Sequence, residues 1–161
     1  MTPQGRARML RRIIAFIVAV GVMVVLGSAA HSYFVQQAWS IAAGSGDGTG
    51  PATLPFADRI AWAAHDLGGM IQSYATLTTI ALFVAFLAAG LLARFTGRRV
   101  LVFGLAGAVA LFTLFSVLKM VLGTVGIFGA RGAIGVAAQM AVGLLAGVVF
   151  ARLTGQPATP R

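Results

Sequence analysis

YATLTTIALFVAFLAAGLLARFTGRR, residues 74–99, decides the fold. From Tyr74 to Ala93 the run carries no charge, and it then meets Arg94, Arg98 and Arg99. About 20 apolar residues in helical form cross the roughly 30 Å of bilayer hydrocarbon. A segment of that length followed by a basic cluster reads as a transmembrane helix with its anchor.

Three other segments repeat the pattern. They run over about 13–30, 100–118 (extendable to Leu122) and 133–151. The 161 residues are 59% hydrophobic and 9% charged, where a soluble domain carries about 25% charge. The expected fold class is an all-α integral membrane protein. Four transmembrane helices form a single membrane domain, with a short amphipathic helix in the first outer loop. The first span has a rival reading. Arg6, Arg8, Arg11 and Arg12 precede it and "SAA" ends it, which is a signal-peptide pattern. Its apolar core exceeds the usual 7–15 residues, so a retained helix is the expectation.

Net charge is +9, but the cations lie in short clusters beside apolar runs, where they act as topology signals and not as a nucleic-acid face. Four spans put both termini on one side, together with Arg94, Arg98, Arg99, Arg152 and Arg161. The other side carries only Arg59, Lys119 and Arg131 among the cations, and all three acids, Asp47, Asp58 and Asp66. The positive-inside rule then places both termini in the cytoplasm of a bacterial inner membrane. Loop 31–73 faces outward, to the periplasm of a Gram-negative cell. The tail 153–161 reads as disordered. The absence of cysteine excludes disulfides and thiolate sites.

Within the outer loop, "HSYFVQQAW" prolongs the first span into the headgroup region. Gly44–Pro51 reads as a turn, and residues from Thr53 onward as a short helix with Thr53 as cap and Pro55 in its first turn. Phe56, Ile60, Ala63, Ala64 and Leu67 share one face of that helix. Gly68 and Gly69 are expected to end it.

The run "GTVGIFGARGAIG", Gly123–Gly135, places glycine at every third position. It is too short and proline-free for collagen. Gly123, Gly126 and Gly129 read as a tight outer turn. Gly132, Gly135, Gly143 and Gly147 read as a helix-packing stripe, facing Gly104 and Ala108 of the third span or another copy of the chain.

Polar residues at similar depth outline a candidate outward-facing pocket: His31, His65, Asp66, Gln72, Lys119, Arg131 and Gln139. Asp66 or Asp58 is expected to pair with Lys119 or Arg131. A second role for Arg131 is an anion site with the glycine turn. Ser32, His65 and Asp66 are hydrolase residue types without the sequence context of a nucleophile turn. Neither a catalytic set, a metal site nor a cofactor is predicted. The expected partners are the lipid bilayer and a protein, or self-association through the fourth span, with no nucleic acid. The function reading leaves enzyme status open but leans to a non-enzymatic accessory or scaffold subunit. The alternatives are a small oligomeric transporter or channel and a haem- or quinone-binding subunit of a membrane oxidoreductase.

Overall fold

The computed structural model describes residues 2–42, 54–123, 130 and 132–155. Four long helices follow one another: α1 Pro3–Ala42, α2 Phe56–Thr96, α3 Arg99–Leu122 and α4 Ala133–Thr154. All four are long and apolar enough to cross a membrane. Each helix packs on two neighbours, α1 on α2 and α4, α3 on α2 and α4, so the four form a closed ring. The α3–α4 contact is the most extensive and α1–α2 the least. The start of α1 and the end of α4 lie at one end of the bundle, where Arg11 donates to the carbonyls of Leu153 (2.6 Å) and Gly155.

The helix ends follow local chemistry. Gly97 (φ 66°) and Gly123 (φ 68°) close α2 and α3 in the left-handed conformation, which a side chain would resist. Arg94, Lys119 and Arg152 sit in the last turns of α2, α3 and α4, where cations meet the negative end of the helix dipole. Pro55 is the residue flanking α2, with Asp58 in the first turn. Thr53 lies outside the described residues, as do Gly126, Gly129, Arg131 and the tail from 156.

α1 and α2 differ from expectation. With 40 and 41 residues they are each about 60 Å long at 1.5 Å per residue, twice the hydrocarbon thickness. Gly68 and Gly69 do not end a short helix; residues 56–67 are the opening turns of α2 itself. Two interior glycines cost about 2 kcal/mol against alanine. Breaking the helix there would add a second nucleation and eight orphaned end groups, so continuation wins. Leu153 and Thr154, assigned above to the tail, complete α4.

The interior is built in two ways. Toward the termini, every helix contributes to an aromatic cluster: Phe16 from α1, Phe83 and Phe86 from α2, Phe103 from α3 and Phe150 from α4. Phe86 stacks on Phe150 at 4.8 Å, Phe103 lies 5.0 Å from Phe150, and Phe16 meets Phe86 edge-on at 6.1 Å. Between α3 and α4, by contrast, backbone meets backbone. A Cβ on Gly107 would strike the Gly143 carbonyl, one on Gly143 would strike the Gly107 carbonyl, and one on Gly147 would strike the Phe103 carbonyl. Gly143 and Gly147 therefore face α3 of the same chain. Their partner positions are Gly107, Gly104 and Phe103. Outward faces carry large apolar side chains such as Ile17, Leu87 and Val109, the surface that lipid accepts.

Gly143→Ala should lower the thermal midpoint of the detergent-solubilised protein by the cost of overpacking, about 1–3 kcal/mol. Gly68→Ala, where a Cβ meets open space, should raise stability by about 0.5–1 kcal/mol. Circular dichroism melts of the two variants beside the parent protein check both signs.

Candidate functional site

At the end of the bundle away from the termini, polar residues of α1, α2 and α4 meet in two layers. The inner layer centres on Gln139, which is 1% exposed. Its Nε2 donates to the Gly27 carbonyl at 2.9 Å, and its Oε1 accepts from the Tyr74 hydroxyl at 2.6 Å. One side chain thus joins α4 to both α1 and α2. Gly27 makes this possible, because a Cβ there would overlap the Tyr74 hydroxyl. Thr78 Oγ1 donates back to the Tyr74 carbonyl at 2.7 Å, so its hydroxyl adds no unpaired donor to the core. Ser28 Oγ is buried in the same layer without a hydrogen-bond partner.

The outer layer joins α1 to α2. Ser32 Oγ donates to Asp66 Oδ2 at 2.7 Å. Further out, Arg59 Nε donates to Gln36 Oε1 at 2.8 Å, and Gln36 Nε2 donates to the Arg59 carbonyl at 3.2 Å. Ser28, Ser32 and Gln36 recur every four residues and so form one polar stripe on α1. His31 is buried beside this stripe, within electrostatic reach of Asp66.

The predicted pocket residues separate accordingly. Gln139, His31 and Asp66 come together with Tyr74, Ser32 and Gln36. His65, Gln72 and Lys119 are exposed, and Arg131 lies outside the described residues. Asp66 accepts from Ser32 because the continuous α2 carries it onto α1; of its expected partners Lys119 is exposed, and Arg131 lies outside the described residues. Of the four stripe glycines, Gly135, Gly143 and Gly147 are buried and Gly132 is exposed as the extended residue flanking α4. Gly27, Ser28, Gln36 and Thr78 were not singled out from sequence. The four-residue spacing of Ser28, Ser32 and Gln36 was the available signal.

This geometry does the chemistry of a fastener. The Ser32 hydroxyl bonds the carboxylate directly, whereas a hydrolytic triad sets an imidazole between serine and aspartate. Among the described residues no three His, Asp or Glu side chains converge as metal ligands. Buried hydrogen bonds between membrane helices contribute about 0.6–2 kcal/mol each, and removing one partner leaves the other unsatisfied at about 1–3 kcal/mol.

Gln139→Leu strands both the Tyr74 hydroxyl and the Gly27 carbonyl, and should destabilise by about 2–4 kcal/mol from those penalties. Adding Tyr74→Phe should recover part of the loss, since the orphaned hydroxyl goes. A thermal-melt double-mutant cycle reads the coupling; strict additivity would mean that the bond contributes nothing.

The chain matches no protein-family model, no curated protein sequence and no solved structure.

Proposed function

We propose that this chain is a non-catalytic membrane subunit of the bacterial inner membrane, an accessory or scaffold protein with both termini in the cytoplasm. In this reading it presents the outward prolongations of α1 and α2 to a membrane-embedded or periplasmic partner. The observation that carries the proposal is the length of these two helices together with what fastens them. They continue well past one bilayer thickness and remain tied by Ser32–Asp66 and Gln36–Arg59. Holding two helices together outside the hydrocarbon has value when their surface is used.

That surface carries large exposed apolar side chains. Trp39 is 58% exposed, Ile41 75% and Phe56 77%. Exposed rings of this size beyond the apolar spans suit contact with headgroups or with another protein. Gly143 and Gly147 of α4 are covered by α3, so a protein partner is better served by the prolonged pair. The polar side chains that could have lined a permeation path, Gln139 and Tyr74, are engaged with each other and with Gly27. This favours the scaffold over the transporter reading.

Two measurements test the proposal. The chain lacks cysteine, so single cysteines report sidedness cleanly. Thr2→Cys should resist a membrane-impermeant maleimide in intact cells, and Asp58→Cys should react. The opposite pattern inverts the topology. For the partner, native purification of the parent protein should yield a stoichiometric complex that Phe56→Asp with Ile60→Asp disrupts without changing the thermal midpoint of the isolated chain. A complex unaffected by that pair would remove the prolonged helices from the interface.

A further inference from the structure

The least extensive helix contact, between α1 and α2, leaves a cleft at the end that bears the termini. It encloses about 680 Å³, within the range of about 300–1,000 Å³ typical of ligand pockets. Its floor is the aromatic cluster. Phe83 and Leu87 form its α2 wall, and both are more than half exposed, so the cleft opens sideways to the surface that faces lipid. Gly90 stands in that wall with nothing within 4 Å of where its Cβ would lie.

Three cations share the mouth, one from each of three helices: Arg12, Arg94 and Arg99. Among the described residues no acid answers them. The chain has only Asp47, Asp58 and Asp66. Asp58 and Asp66 sit in the opening turns of α2, and Arg94 in its last turn. Arg99 is pinned: its Nη2 donates to Thr154 Oγ1 at 2.6 Å, and its guanidinium lies 4.8 Å over the Phe103 ring. Its Nε is buried with no hydrogen-bond partner among the described residues, and Arg11 and Arg12 set like charge against it. A buried, unpaired donor on a cation, with further cations beside it, is costly until an anion arrives. Guanidinium groups match phosphate oxygens in a two-pronged geometry.

The depth of the cleft specifies the remainder of the ligand. Phe83 and Arg94 stand about 16 Å apart along the α2 axis, close to one leaflet of a hydrocarbon layer about 30 Å thick. A molecule with phosphate at the arginines and an acyl chain reaching Phe83 therefore spans from the headgroup level to the bilayer midplane. A zwitterionic lipid would bring its own cation to a mouth already crowded with three.

We propose that this cleft is a binding site for one anionic phospholipid, its phosphate held by Arg12, Arg94 and Arg99 and one acyl chain laid along Phe83 and Leu87. The proposal rests on the membrane reading of the four helices and not on a protein partner.

The test uses the full chain in detergent micelles with one reporter, made by Trp39→Phe, Trp62→Phe and Leu87→Trp. Phosphatidylglycerol with brominated acyl chains should quench the fluorescence at about tenfold lower mole fraction than phosphatidylcholine with the same chains, a difference of about 1.4 kcal/mol. Arg12→Gln with Arg94→Gln should erase that preference, and Arg12→Lys with Arg94→Lys should keep most of it. Gly90→Leu fills the cleft while leaving the charges intact, so it should abolish quenching by both lipids at low mole fraction. Equal quenching by the two lipids in the parent reporter, or a preference unchanged by the Gln pair, would overturn the site. Brominated fatty acid quenching as strongly as phosphatidylglycerol would overturn the phospholipid in favour of a carboxylate amphiphile.

Discussion

The contact that the rest of the bundle depends on is the approach of α3 to α4 at Gly107, Gly143 and Gly147. In hydrocarbon the lipid tails are as apolar as any leucine, so burial of apolar surface does not drive helices together. Attraction comes from dispersion between closely packed atoms and from polar bonds. Bare backbone maximises the first. With carbonyls seated where Cβ atoms would otherwise be, α3 and α4 form a rigid pair. α1 then packs against α4, and α2 against α3.

Along its axis the molecule changes its means of cohesion. Toward the termini it uses interlocked phenylalanine rings, and at the opposite end it uses hydrogen bonds through Gln139, Ser32 and Gln36. The change follows from what each end must tolerate. Rings fill volume but leave a gap where α2 offers only Gly90 and its neighbours, and the arginines collect over that gap. At the other end, carbonyl, hydroxyl and amide groups reach one another across helices, and the bonds of the buried Gln139 remove the penalty of unsatisfied groups in the interior. A cleft and a fastener therefore occupy opposite ends of one bundle.

Parts of the site were visible from residue type and spacing alone. Gln139 stood out because an amide inside an apolar span demands a partner, and Gly143 and Gly147 because small residues four apart leave a flat helix face. The identity of the partners was not visible. Tyr74 reaches Gln139 from α2, diagonally across the ring, and nothing in local spacing sets that distance. Lys119 and Asp66 looked alike as charges at similar depth, yet only Asp66 meets another helix, since α2 runs on without a break at Gly68 and Gly69.

The amino-acid sequence by itself determined four apolar helical segments and the clustering of arginine beside them. These properties depend on the length of apolar runs and on side-chain charge, both of which are read one segment at a time. Only the tertiary structure decided that the α4 glycines meet α3 of the same chain, that Ser32 fastens Asp66, and that Arg12, Arg94 and Arg99 converge over one cleft. Each of these joins residues far apart in the chain, and their meeting is set by how helices rotate and slide against one another, a packing choice that no single helix contains.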